Sequence, residues 1–252
     1  MLVGYRWVMR SIPAALAPTA LAHEELAIPG DELPPGPTRE LRRAMARFCD
    51  GAAHAAARGR VVDVVDELDE ERVAAIARRR TRSLIATGRT EAVPALVPAG
   101  SLAEVLGVIS PDDDGARLVE LLVLVGDTIV AGSVDEAEAD TVDAATAELA
   151  DLVAGRGDPV ALLSILHQTR GATGALIATM LEGTTPRRSA VPATKRTATS
   201  DVVLDGFGPI TAGETVAVEL DLDTEFGHGR HACPGRRLAE AVSATVISAL
   251  DG

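Results

Sequence analysis

Aromatic side chains are nearly missing: one tryptophan, one tyrosine and three phenylalanines in 252 residues. A core without large rings has to be built from Ala, Val and Leu, residues that suit closely packed helices. Cysteine is as scarce. Cys49 and Cys233 are the two in the chain, too few for a disulfide framework or a cysteine zinc site. They fit a reducing compartment, and a cytoplasmic address is expected. Basic residues are outnumbered, 24 against 37 acidic, giving a formal charge of -13. Such a surface repels phosphate backbones and anionic membranes, so neither nucleic acid nor a bilayer is an expected partner. No long hydrophobic run is present: 118-LVELLVLVGDTIVAG-132 is too short to span a membrane, contains Asp127, and reads as a buried helix. The opening MLVGYRWVMRSIPAALAPTALAHEE has the outline of a secretory signal, against which Pro13 and Pro18 break up its weakly apolar middle.

What the chain does have is a 47% hydrophobic content, enough at this length for a substantial globular core. Residues 1–37 are rich in Pro and Gly and read as irregular, with a short strand near 2–9. Helical patterns follow. Leu41, Met45 and Phe48 are spaced three and four apart in 38–51, which stops at Gly51. Further helices are expected over 53–66, 68–87 and 101–107, and from the Ser110-Pro111 cap signal. A long amphipathic helix is marked by Val134 to Leu152, and a buried one runs through 160–181. Residues 183–200 read as a polar, basic loop, and 201–220 alternate around Gly206, Gly208 and Gly213 as a hairpin. Residues 236–252 return to helix. The fold class expected is mainly α with a small β element, in one domain: 1–37 irregular, 38–200 helical, 201–252 hairpin, cysteine loop and last helix.

The chemistry concentrates in 226-FGHGRHACPGRRLAEA-241. Glycines there let the backbone turn tightly and approach a flat partner. Amides at a helix start lower a thiol's pKa and donate to its sulfur. A buried structural cysteine is the plainer reading of the same residues.

Phe226, Gly227, Gly229, His231, Cys233 and Gly235, followed by Leu238-Ala239, resemble position for position the cysteine-ligand loop of the cytochrome P450 family. That resemblance implies a truncated cytochrome P450-like fold and a haem b whose iron is ligated by Cys233, with Phe226 shielding the sulfur and His231 bonding a propionate. It extends to 47-RFCDGAAHAAAR-58, where His54 and Arg58 lie one helical turn apart, and to Arg196 ahead of the hairpin. These are the implied propionate partners. The Ile210-x-Ala212-Gly213 turn also matches.

Departures are equally specific. The one Glu-x-x-Arg in the chain is Glu40–Arg43, on the wrong side, and no irregular meander separates Leu220 from the cysteine loop. In LHQTRGATGALI, Thr173 aligns with the family's threonine and Gly171 with its acid, while Gln168-Thr169 stand where small residues belong. Thr173 and Gln168 are the candidate catalytic residues, with Thr169 and Thr173 expected on one face; His167 reads as a packed core histidine. The implied activity is that of a haem-dependent monooxygenase on a small or carrier-bound biosynthetic substrate, fed by a ferredoxin-type donor landing on Arg230, Arg236 and Arg237. Dehydration, rearrangement or peroxide chemistry, and a non-catalytic helper of a partner enzyme, are the alternatives. Lost wall elements make a homo-oligomer or a partner chain an expected cover.

Overall fold

The computed structural model describes residues 9–183 and 189–251. They divide into two compact units, Met1–Pro29 with Val191–Cys233, and Gly30–Ala190 with Pro234–Gly252.

The first unit is mostly sheet. Its elements are β1 (Ser11–Ile12), α1 (Ala17–Ala22), β2 (Leu26–Ala27), β3 (Ala193–Ala198), β4 (Val202–Leu204), β5 (Gly208–Ile210) and β6 (Thr215–Glu219). One sheet runs β1-β6-β3-β2, with β1 parallel to β6 and the other pairs antiparallel; β4 and β5 form a separate ribbon. Ile12, Leu26, Val216 and Val218 are completely or almost completely buried, which fixes the register because a one-residue slip would turn them outward. Three expectations are corrected here. Residues 1–37 are not simply irregular, since β1, α1 and β2 all pack into this unit; the strand expected near 2–9 lies outside the described residues except for Met9, which is not in a strand. The basic segment before the hairpin is a strand over Ala193–Ala198, with 184–188 outside the described residues. The 201–220 hairpin closes at β5, and β6 leaves it to pair with β3 instead.

The second unit is helical: α2 (Pro37–Ala44), α3 (Gly51–Asp66), α4 (Glu70–Ala86), α5 (Val93–Val105), α6 (Ala116–Ala131), α7 (Glu136–Val153), α8 (Pro159–Gln168), α9 (Gly174–Leu181) and α10 (Arg236–Asp251). Local chemistry sets the ends. Asp69 caps α4 by accepting from the Arg72 amide at 3.2 Å, and Asp158 caps α8 from Ala161 at 2.8 Å behind Pro159. The Ser110-Pro111 signal does not start α6. Asp113 and Asp114 accept from the amides of Gly115 and Ala116 at 2.8 and 2.9 Å, and these local turns delay the helix to Ala116. Val73, Val97, Leu102, Leu122, Leu166 and Val246 lie in one aliphatic core. Pro98 inside α5 has no N–H for the carbonyl of Pro94, four residues back. That carbonyl faces Gly174, where an added Cβ would sit 2.6 Å from it.

Asp31 ties α2 down. Its side chain is 4% exposed and receives Arg39 Nε and Arg43 Nε at 3.0 Å each, with Arg42 Nη1 at 3.5 Å. Burial alone would raise the carboxyl's pKa, but the Arg43 hydrogen bond and the three guanidinium charges outweigh it and hold the group below its ordinary value. A depressed carboxylate stabilises the fold above its unfolded pKa, and that stabilisation is lost as pH falls through the folded one. Asp31→Asn is therefore expected to lower stability at neutral pH by about 2 kcal/mol, and to shrink that difference from wild type in denaturant titrations below about pH 4.

Candidate functional site

The cysteine loop is built within the first unit, from the residue before it onward. Asp221 Oδ1 accepts from the Asp223 and Thr224 amides at 3.1 Å and from the Thr224 hydroxyl at 2.8 Å, reversing the chain directly after β6. Those bonds, led by the one from the Thr224 hydroxyl, lower the pKa of Asp221. The loop then closes on itself: the Cys233 amide donates to the Phe226 carbonyl at 2.7 Å, and Gly229–His231 form a single 3₁₀ turn. Gly227 has φ +76°, and a Cβ there would lie 2.5 Å from the His231 carbonyl oxygen. Phe226 and His231 are half-buried, and the Cys233 thiol is exposed. Arg230 donates to the carbonyls of Ala22 and His23 at 3.3 and 3.4 Å, anchoring the loop on α1. Arg196, on β3 opposite Val216, is 3% exposed and donates to the Lys195 carbonyl at 2.8 Å and the Thr194 hydroxyl at 3.2 Å.

In the second unit, Asp50 sits at the N-cap of α3, where His54 is buried and Arg58 half-buried. Gly235 precedes α10 with open space around it and accepts from the Ala239 amide at 2.9 Å. Arg236 pairs with Glu240 at 2.9 Å, and Arg237, 89% exposed, reaches Glu70 at 3.5 Å.

Between α8 and α9 the chain makes one turn of π-helix, Thr169–Thr173. Such turns insert into otherwise regular helices and recur at functional sites. Thr169 and Thr173 open and close this turn, whose wider pitch of about 4.4 residues keeps positions four apart near one face. Thr173 is 4% exposed and Thr169 half-buried, while Gly171 is exposed. Gln168 Oε1 accepts from Arg47 Nη1 at 3.3 Å. Arg170 reaches Asp127 of α6 at 3.7 Å. Sequence assigned Arg47 and Gly126 no role, and read Asp127 only as a charge against a membrane span. Arg47 lay inside the quoted RFCDG segment; the other two carry no local signal.

His167 is buried and its imidazole lies against Gly126, where a Cβ would meet Nδ1 at 2.6 Å. Nδ1 has no hydrogen-bond partner among the described residues. Burial, and then the charges of Arg47 and Arg170, push its pKa down to about 4, so the ring is neutral at physiological pH. Cys49 differs from Cys233: burial and Asp50 raise its pKa, and its Sγ donates to the Met45 carbonyl at 3.3 Å.

Comparison of the sequence with family profiles and with curated proteins returns no match. Comparison with solved structures returns many. P450BioI, crystallised in complex with hexadec-9Z-enoic acid ligated acyl carrier protein, aligns with a TM-score of 0.72 at 13% identity, over 94% of this chain and 83% of that one. For CalO2 the TM-score is 0.70 at 19% identity, over 96% and 82%. For CYP109B1 from Bacillus subtilis it is 0.66 at 16% identity, over 95% and 84%. The protein has a cytochrome P450-like fold, mainly α with a small β element.

Two outcomes follow from this geometry. Gly227→Ala should cost more than the roughly 1 kcal/mol of a left-handed alanine, because of the 2.5 Å approach to His231, and should lower Tm by more than Gly229→Ala, where φ is +57° and the space is open. A histidine with a depressed pKa stabilises the fold fully above its unfolded value, and that contribution is lost as pH falls from about 6.5 towards about 4. His167→Gln should flatten the fall in stability over this window, measured by denaturant titration at stepped pH.

Proposed function

We propose that the chain is a haem-thiolate protein of the P450 type, using the sulfur of Cys233 as its iron ligand and acting as an oxidoreductase. The observation that carries this reading is Cys233 itself: an exposed thiol ending a glycine loop too tight for a side chain at Gly227, in a chain with a P450-like fold. The donor set fits the group chemically. The residues that the resemblance implies for it are the thiol of Cys233, Phe226, Gly229, His231, the buried cation Arg196, buried His54, Arg58 and Gly235. In this reading the chain works as a single haem-thiolate domain, with His54, Arg58, Arg196 and His231 gripping the two propionates. Bound haem supplies redox chemistry at a thiolate-held iron, and Lewis acidity where no proton relay operates.

This chain's own residues set the limits of that chemistry. Thr173 is buried on the π turn and Gln168 accepts from Arg47, which supports a role for both in orienting a polar group. Gly171 has no side chain to shuttle a proton, and Asp127 is engaged by Arg170. The absence of an acid on the π turn favours a second reading: dehydration, rearrangement or peroxide use that needs no acid–threonine relay. A carrier-bound substrate is supported by the neighbour solved with an acyl carrier protein. A ferredoxin-type donor and a cytoplasmic setting complete the proposal, with Arg237 the most exposed of the three basic residues near the cysteine.

The test is spectroscopic. Protein expressed with a haem precursor, reduced and exposed to carbon monoxide, should give the red-shifted Soret band of a thiolate complex. Cys233→Ala should lose that shift, with retained haem showing the unshifted band. A wild-type protein that binds no added hemin would end the proposal. Turnover with and without an electron donor separates the two chemistries.

A further inference from the structure

A marked charge asymmetry lies on α6 and α7. Between residues 116 and 153 the chain carries nine carboxylates and one basic residue, Arg117. That guanidinium is already taken up by Glu148 at 2.6 Å and Glu120 at 3.5 Å. The side chains of Glu120 and Asp127 are 69% and 74% exposed. The acid is set on an apolar relief. Ala116, Glu120, Leu124 and Thr128 are spaced by four and form one row along α6. A groove of about 550 Å³ flanks the row on the α5 side, floored by Leu96, Val119 and Val123 and rimmed by Asp127 and Glu138. A second, of about 570 Å³, flanks it on the α7 side, with Ala144 and Ala145 below Asp140 and Glu148. Leu124 belongs to both and is 39% exposed.

A four-spaced ridge between two grooves is the surface that another helix packs against. The row from 116 to 128 spans roughly 18 Å, about three helical turns. We propose that the α6–α7 face docks a basic amphipathic helix of a partner protein. Apolar residues at i, i+3, i+4 and i+7 would straddle Leu124, and flanking Lys or Arg would meet the carboxylate rims. A second copy using the same face is disfavoured by physics, since it would set two carboxylate surfaces against each other. An anionic lipid surface is repelled for the same reason. The proposal does not rest on haem binding.

The probe is a synthetic Leu/Lys peptide of about 16 residues in helical spacing, fluorescently labelled, with a scrambled peptide of the same composition as control. Binding by anisotropy to the full-length protein should weaken at least about tenfold between roughly 50 and 200 mM salt. It should also weaken at least about fivefold in Glu120→Gln/Glu138→Gln and in Leu124→Ser, with the circular dichroism and Tm of each variant unchanged. Peptide-induced amide-exchange protection in the wild type should fall within residues 116–148. That reading decides the matter if a variant fails to fold. Equal binding of the scrambled peptide, protection elsewhere, or unchanged affinity in folded variants overturns the proposal. So does self-association in sedimentation that Leu124→Ser abolishes, which assigns the face to a second copy.

Discussion

Close contact of backbone with neighbouring groups through glycine is the constraint on which this structure rests. With so few rings to fill space, helices must come near one another, and glycine is what permits it. Gly174 abuts the Pro94 carbonyl, which Pro98 has released from the ordinary helical ladder. Gly126 makes room for the His167 ring, and Gly100 for the Arg80 guanidinium, whose Nη1 would be 3.2 Å from a Cβ there. In the cysteine loop Gly227 plays the same part against His231. Where bulk is missing from the composition, shape is supplied by its absence at chosen positions.

The two units divide the chemistry by kind. The sheet unit holds the thiol and its loop, pinned by a short bond to Phe226 and by Arg230 on α1. The helical unit holds the buried histidines, the π turn and most of the acidic surface. Cationic side chains are few, and most described ones are committed: three converge on Asp31, and Arg79 and Arg80 both meet Glu104. The net negative charge is thus not spread evenly but left over on α6 and α7.

The long helices were legible because each buries an aliphatic stripe of the expected period, and their types and order agree with the structure. The P450-like fold was legible from one loop of fixed residues, which is a denser signal than any periodicity. What sequence missed has physical reasons. β1 and β2 are two residues long and exist because strands about two hundred residues away complete them. The π turn is a change of pitch with no composition of its own, so a pattern of apolar spacing reads 160–181 as one unbroken helix. The start of α6 was misplaced because two aspartates outcompeted the Ser-Pro signal for the backbone. Of the candidate site, the tight course of the cysteine loop could be read from its glycines. The Arg47–Gln168 and Arg170–Asp127 pairings could not, because both link residues distant in the chain.

The π turn also bears on how the chain can change in length. A helix advances about 100° per residue, while the wider π turn at Thr169–Thr173 takes in one residue more than an α turn and leaves the azimuth downstream nearly unchanged. Removing one amino acid there would restore regular pitch and keep Leu176 and Ile177, now buried, on the face they occupy. This five-residue stretch is thus a place inside a helix where one residue can be lost without turning the buried face outward, a freedom otherwise found in surface loops.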